Sequence, residues 1–305
     1  MKAVAFTSFG KPEVLRIMEL DEPQAGPTEV RVRVKTAGVM PYDCGVRNGE
    51  ILLRKTITFP LIPGNEFAGI IDQIGEGIDG FAIGDEVLGF SLLNSYAEYV
   101  VVSSDQIVKK PQNMPWEVAG GFSGNGQGAH MALKELDIKH GDTVLIHAAA
   151  GGLGTFAVQL AKAWGAETII GTASEANHDY LRSLGAIPVA YGEGLVESLR
   201  TLSPGGIDAA LDGAGPEALR ASIEVVKDRS RIRTMLADDV ARELGIPILS
   251  GTRTNERLSE LVDLYATGNI QIHFRKILPL DFAAEAHRLV GSGHGRGKVV
   301  LTVNS

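Results

Sequence analysis

Ala149, Gly151 and Gly154 stand at the spacing of a phosphate-binding glycine turn, inside the run Thr143-Val-Leu-Ile-His-Ala-Ala-Ala-Gly-Gly-Leu-Gly-Thr155. The chemistry open to such a turn is anion binding by backbone N–H groups at the start of a helix, where the helix dipole adds to the attraction. A residue without a side chain at Gly151 lets those N–H groups approach a pyrophosphate. A second one at Gly154 lets the helix lie close to the preceding strand. Ala150, Gly151, Gly152 and Leu153 are therefore the expected cofactor contacts of the turn. The spacing alone is a weak signal, and its surroundings strengthen it. Val144, Leu145 and Ile146 form the apolar run of a central parallel strand. Phe156, Ala157, Leu160, Ala161 and Trp164 recur at helical spacing, and a second strand follows from Thr168 to Thr172.

The elements that must hold this turn are spread over 305 residues, enough for two domains. Up to about residue 102 the sequence is rich in strand patterns and broken by glycine and proline. Val30-Arg-Val-Arg-Val-Lys35 alternates with period two, as a strand with one wet face does. Phe67–Asp72, Glu86–Phe90 and Ala97–Val102 read as further strands, with no long helical period between them. From about Pro115 helices and strands alternate. Strands are expected at 143–149, 167–172, 187–190, 207–212, 230–236 and 246–250, with helices near 126–136, 153–164, 175–184, 193–202 and 216–227. That is the sequence form of a doubly wound parallel sheet. A helix from Asn255 to Thr267, another near 281–291 and a strand at 297–303 close the chain. The expected class is α/β, with a β-rich domain at 1–114 and 270–305 and a nucleotide domain at 115–269. A cleft between the two is the expected reaction site.

Bulk properties exclude several functions. The formal net charge is −8, from 37 acidic against 29 basic residues, which argues against a nucleic-acid partner. No apolar stretch approaches membrane-spanning length. Met1-Lys-Ala-Val-Ala-Phe runs straight into strand-like sequence, so no leader peptide is expected. The single cysteine, Cys44, allows no internal disulfide, and a cytoplasmic setting follows.

Landmarks along the chain resemble the medium-chain dehydrogenase/reductase superfamily, in its zinc-free, quinone-oxidoreductase-like branch. They are Ala37-Gly-Val-Met-Pro-Tyr-Asp43, Pro63-Gly-Asn-Glu-Phe-Ala-Gly69, Phe81-Ala-Ile-Gly-Asp-Glu-Val87, Ala129-His-Met-Ala-Leu133, His147 to Gly154, Leu184-Gly-Ala186 and Gly297-Lys-Val-Val-Leu301. The resemblance implies a GroES-like domain around a Rossmann-type insert, and a homodimer joined through the nucleotide domains. Zinc-dependent relatives carry a ligand cysteine at the position of Met40 and a ligand histidine at that of Asn65. A thioether and an amide are poor zinc ligands, so no metal is expected. Without a Lewis acid the acceptor must already be electron-poor, as a quinone or enone is.

The resemblance also points to cofactor contacts. Met40 replaces an asparagine that lines the nicotinamide pocket, and Asn125 stands where relatives carry a threonine near the nicotinamide ribose. Gly213 follows the fourth strand on the edge where ligands bind. The second strand ends Gly171-Thr-Ala-Ser174 with no acid to bind a ribose hydroxyl, so Thr172 and Ser174 favour NADPH over NADH. Tyr191 matches the phosphate-binding pattern, and its lysine position falls at Asn177 or His178. Ser174 with Glu175 also reads as a helix start. Tyr42 is the one candidate catalytic side chain, a proton donor or else a packing tyrosine. Asp43 is read as fixing its loop, His130 as core, His147 as a neutral buried histidine bonded to backbone, Cys44 as inert and Lys134 as solvated. The segment from Asn48 to Pro60 carries no chemistry that names an acceptor. The expected function is a zinc-independent, NADPH-dependent reductase of a small quinone, enone or related conjugated carbonyl. The alternatives are a weakly catalytic NADPH-binding sensor and, further off, a ketone or aldehyde reductase.

Overall fold

The computed structural model describes residues 1–51, 57–293 and 295–303; residues 52–56, part of the segment from Asn48 to Pro60, lie outside them. The chain forms two compact units. One comprises Met1–Gly124, Thr254–Ala266 and Phe274–Ser305, and the other Asn125–Arg253 and Thr267–His273. The class is α/β, a β-rich unit and a doubly wound parallel sheet, as the alternation of patterns predicts.

The β-rich unit is organised by the strand Glu29–Val39. Its period-two pattern places Val30, Val32 and Val34 at 0% exposure, while the charged residues between them stay half-buried. Glu66–Ile74 pairs antiparallel along most of this strand. On the other side Tyr99–Ser103 pairs with its first half and Lys298–Thr302 with its second, in the register Val299 to Val39. The chain's last described strand therefore closes the sheet that the first hundred residues build. Phe67, Ile71, Tyr96, Val100 and Leu301 fill the core on its inner face.

One element of this unit breaks the sequence expectation. Pro41–Asn48 is a helix, where the glycine-punctuated pattern shows none. Pro41 occupies the first helical position, which needs no N–H. Asp43 reaches back to the Met40 N–H at 2.8 Å, and Gly49 ends the helix with a left-handed φ of 82°.

The second unit carries a five-stranded sheet in the order Ile187–Val189, Thr168–Thr172, Thr143–Ile146, Ala209–Asp212 and Ile232–Thr234. All of its pairings are parallel. Val144, Leu145 and Ile146 are fully buried in the central strand, each worth about 1.5–3 kcal/mol of burial. Helix Gly152–Ala163 packs against it, and Gly154 is the point of closest approach. A Cβ on Gly154 would lie 2.5 Å from both Ala148 O and Ala149 Cα.

The sixth strand expected at 246–250 does not form. Pro247 cannot donate to a ladder, and Ile246 N is already bonded to Ala241 O at 2.8 Å as the chain leaves helix Asp238–Glu243. Glu135 takes the N–H groups of Ser250 and Gly251 at 3.0 and 2.8 Å. A carboxylate thus replaces the missing neighbour strand.

Substitution Gly154→Ala is expected to lower the unfolding free energy by about 1–3 kcal/mol, because backbone rather than a flexible side chain must give way. Gly205→Ala, where an added Cβ meets nothing within 4 Å, serves as the control. Urea midpoints that fall equally for the two variants would defeat the packing argument.

Candidate active site

In the nucleotide unit the turn begins where the central strand ends. Ala148 takes a left-handed φ of 54°, rare for a residue with a Cβ, and Gly151 caps helix Gly152–Ala163. No side chain among the described residues caps this helix. Its first-turn N–H groups, including those of Gly152 and Leu153, are left to an outside acceptor. A Cβ on Gly151 would meet only Ala148 O, at 3.3 Å, so the approach is open. Gly151, Gly152 and Leu153 are half-buried, and Ala150 is buried beside them. An uncapped, half-buried helix start behind an open glycine turn fits the pyrophosphate of a dinucleotide.

The other expected contacts divide. Ser174 is half-buried at the end of the second strand, where Asn177 Nδ2 donates to its hydroxyl at 3.0 Å. His178 lies one residue on, half-buried, and Tyr191 is 62% exposed beyond the third strand. No acidic side chain precedes Glu175 there, and Glu175 is exposed. Thr172, by contrast, is 1% exposed, and its hydroxyl is taken up by Ala148 N and His147 Nδ1, both at 3.2 Å. Gly213 is half-buried after the fourth strand. Its turn is held by Asp212, whose Oδ1 accepts the N–H groups of Ala214 and Gly215 at 2.8 Å. Asp212 Oδ2 accepts the Thr234 hydroxyl at 2.7 Å, and Thr234 in turn accepts Ala237 N at 3.0 Å. Sequence reasoning placed Gly213 on this carboxyl edge but did not find this lock. Asn125 is buried in helix Ser123–Glu135.

His130 sits in the core, edge-on to Trp164 at 5.1 Å, and the Lys134 ammonium lies 4.4 Å above the same ring. His147 is buried, and burial pulls its pKa down to about 4, so it is neutral. Its partners are side chains rather than the backbone expected.

In the β-rich unit, Met40 and Tyr42 are half-buried at the start of helix Pro41–Asn48. Beneath them runs a buried chain of polar groups that the sequence did not reveal. Arg47 Nη1 lies 3.1 Å from His287 Nδ1, His287 Nε2 lies 3.3 Å from the Tyr96 hydroxyl, and that hydroxyl lies 3.3 Å from Asp43 Oδ2. A guanidinium has no acceptor, so His287 Nδ1 must accept. Nε2–H then donates to Tyr96, and Tyr96 donates to Asp43. Burial, reinforced by the Arg47 charge, pulls His287 down to about 3. Burial pushes Asp43 up to about 7 against the Met40 N–H and the Lys298 charge, which favour its ionised form. Asp43 does fix its loop, and Cys44, pushed up to about 12 by burial, is inert.

Asn65, Glu66 and Lys298 are buried alongside. The Lys298 ammonium pairs with Glu66 Oε1, and Glu66 Oε2 accepts Gly124 N at 2.6 Å. Both carboxylates near Met40 and Asn65 are therefore committed within the chain. No group of three His, Cys, Asp or Glu side chains suited to a metal occurs among the described residues. No helix among them is long and apolar enough to cross a membrane.

Comparison with known proteins assigns the chain to a family. The model of the alcohol dehydrogenase GroES-like domain matches residues 26–112, and that of zinc-binding dehydrogenase matches residues 184–301. The quinone oxidoreductase of Coxiella burnetii is 32% identical with a TM-score of 0.90, covering 100% of this chain and 99% of that one. The Escherichia coli quinone oxidoreductase, solved as a complex with NADPH, is 26% identical with a TM-score of 0.88, covering 99% of this chain and 100% of that one. The human synaptic vesicle membrane protein VAT-1 homolog-like is 32% identical over 213 residues, 70% of this chain and 50% of the relative. The chain thus spans about half the length of that curated relative. It belongs to the medium-chain dehydrogenase/reductase superfamily and is quinone-oxidoreductase-like.

Asp43 gives this site a measurable signature. Its pKa is raised, so the folded chain holds an extra proton between the ordinary value of 3.8 and about 7, and the group's contribution to stability falls as pH rises through that window. Asp43→Asn removes the slope. Relative to the wild type, the variant is expected to gain a few kcal/mol between about pH 5 and about pH 8, at ~1.4 kcal/mol for each tenfold difference in proton affinity. Urea unfolding at the two pH values checks this, and a constant difference between the proteins would contradict it.

Proposed function

We propose that the chain is a zinc-independent, NADPH-dependent oxidoreductase that delivers hydride to a quinone, enone or related conjugated carbonyl. The observation that carries the reading is the uncapped start of helix Gly152–Ala163 behind the open turn at Gly151. Bound there, NADPH supplies the hydride. The residues of the chain do the rest. Ala150, Gly151, Gly152 and Leu153 offer backbone N–H groups to the pyrophosphate. Ser174, Asn177, His178 and Tyr191 are assigned to the 2′-phosphate, and no carboxylate precedes Glu175 at the strand end to repel it. Gly213, Asn125 and Met40 are assigned to the nicotinamide half.

The electron-poor acceptor follows from donor chemistry. Met40 and Asn65 offer a thioether and an amide, and Asp43 and Glu66 are engaged by Met40 N and Lys298. With no strong ligand set, polarisation of the carbonyl is left to hydrogen bonding, which suffices for a conjugated acceptor. The acceptor takes hydride and one proton. Tyr42 is the assigned donor of that proton, with water as the other source. Holding donor and acceptor in contact supplies much of the rate.

A panel of quinones and enones with NADPH and NADH tests the proposal. NADPH is expected to give the higher kcat/KM by about tenfold or more, equivalent to ~1.4 kcal/mol. Ser174→Asp, which puts a carboxylate beside the 2′-phosphate, is expected to move preference toward NADH by a similar factor. Tight NADPH binding without turnover on any acceptor would favour a cofactor-sensing protein, to which the Met40 thioether also lends itself. Failure to consume either reduced cofactor, with no binding, would sink both readings.

A further inference from the structure

The carboxyl edge of the parallel sheet carries two turns, 148–151 after the central strand and 213–215 after the fourth. A buried set of hydroxyl and imidazole groups joins them. Ser222, on helix Pro216–Val225, donates its hydroxyl proton to Ala218 O at 3.1 Å. A serine has one such proton, so toward His147 Nε2, at 3.0 Å, Ser222 Oγ is an acceptor. His147 therefore carries its proton on Nε2 and presents Nδ1 as an acceptor. Thr172 Oγ1, at 3.2 Å, donates to it. The same threonine oxygen then accepts the Ala148 N–H at 3.2 Å. Only this direction keeps every contact. The reverse leaves the bond to Ala218 unmade and the threonine proton without a place.

We propose that His147 is a positioning residue for the nucleotide turn: as the Nε2–H tautomer it carries a hydrogen-bond relay whose donors all point from Ala148 N toward Ser222, and so sets the backbone that receives the pyrophosphate. The proposal rests on the reading of the turn as the dinucleotide site, while the tautomer and the relay do not depend on it.

Four features make the relay consequential. Ala148 is held at a left-handed φ of 54°, a conformation that strains a residue with a Cβ and needs its surroundings to maintain it. Thr172 supplies that hold twice, through its hydroxyl to Ala148 N and its carbonyl to Ala149 N at 3.0 Å. A threonine hydroxyl is a better acceptor when its own proton is donated onward, and His147 Nδ1 takes that proton. His147 also touches the second turn. Its carbonyl would lie 3.2 Å from a Cβ on Gly213, and its N–H bonds Leu211 O at 2.9 Å in the strand that leads there. The imidazole is buried and neutral, so no competing protonated form disturbs the relay near neutral pH.

The test uses the full chain with 15N-labelled histidine. Long-range 15N–1H spectra are expected to show His147 as the Nε2–H tautomer, and Ser222→Ala is expected to shift it toward Nδ1–H or a mixture. A wild-type Nδ1–H tautomer, or a Ser222→Ala spectrum identical to the wild type, overturns the relay. For function, His147→Phe keeps ring volume and removes both nitrogens. Its Kd for NADPH is expected to rise about tenfold, with the kinetic loss falling on KM for NADPH rather than on kcat. His147→Asn, which can place an acceptor toward Thr172, is expected to recover most of the affinity. A lowered Tm in His147→Phe with unchanged Kd means a purely structural histidine and overturns the positioning role. If His147→Phe fails to fold, Ser222→Ala carries the same affinity test with an expected loss of a few-fold, and no loss overturns the proposal. If wild-type protein with the Nε2–H tautomer binds no NADPH, the functional reading fails and the relay stands.

Discussion

Backbone contact between helix Gly152–Ala163 and the end of strand Thr143–Ile146 is the constraint on which the nucleotide unit depends. At Gly154 the helix comes so near that a single Cβ would collide with Ala148 O and Ala149 Cα. That approach aims the first helical turn along the sheet's carboxyl edge, and it forces the connection between strand and helix into very few residues. The chain makes the connection by turning Ala148 left-handed and leaving Gly151 without a side chain. Everything nearby either allows this geometry or holds it. Thr172 holds it from the second strand, and Gly171, whose Cβ would meet the Ala149 methyl at 2.8 Å, allows it.

The same economy appears in both units. Each contains a buried neutral histidine whose two nitrogens are assigned opposite roles by fixed neighbours. For His287 the assignment comes from a guanidinium that can only donate. For His147 it comes from a serine whose proton is already given to a helix carbonyl. Each chain includes a backbone N–H at the start of a turn or helix: Met40 N donates to Asp43, where the first chain ends, and Ala148 N donates to Thr172, where the second begins. Neutral imidazoles suit this task. They carry a hydrogen bond through an apolar interior in one direction at lower desolvation cost than a charged group would.

The glycine turn and the alternation of strands and helices were legible in the sequence because both are written in local spacing. The apolar triplet 144–146, the period-two run 30–34 and the helical repeat after Gly154 each settle an element without reference to the rest of the chain. Helix Pro41–Asn48 was not legible. It is short, contains Gly45, and owes its start to a side-chain bond from Asp43 rather than to periodicity. The strand expected at 246–250 failed for the complementary reason. Its apolar pattern was real, and Ile246 is buried, but Glu135, more than a hundred residues earlier, took the N–H groups a neighbour would have used. Of the site, the turn and the acid-free strand end could be read, whereas the polar chains could not. His147 meets partners 25 and 75 residues away, and His287 meets one 191 residues away. Thr172 shows the limit most plainly. Its position at the carboxyl end of the second strand follows from the strand pattern, yet its hydroxyl faces inward to His147 and Ala148.

Glu66 and Lys298 bring the opposite problem, because both are charged and almost wholly buried. An ion pair so placed gains little stability over a well-packed apolar pair, since each charge gives up its hydration. Its retention here is better explained by what the second carboxylate oxygen does. Glu66 Oε2 binds Gly124 N at the first turn of helix Ser123–Glu135, one residue before Asn125, and an anion at that position is favoured by the helix dipole. Lys298 balances the carboxylate's charge from the other side and leaves Oε2 as the acceptor. Asp43 performs the equivalent service for helix Pro41–Asn48 with a weaker grip, because burial raises its pKa to about 7 and its Oδ1 has no hydrogen-bond partner among the described residues. Glu66 and Asp43 are thus both helix-start acceptors, one paired with a lysine and the other able to exchange a proton near neutrality.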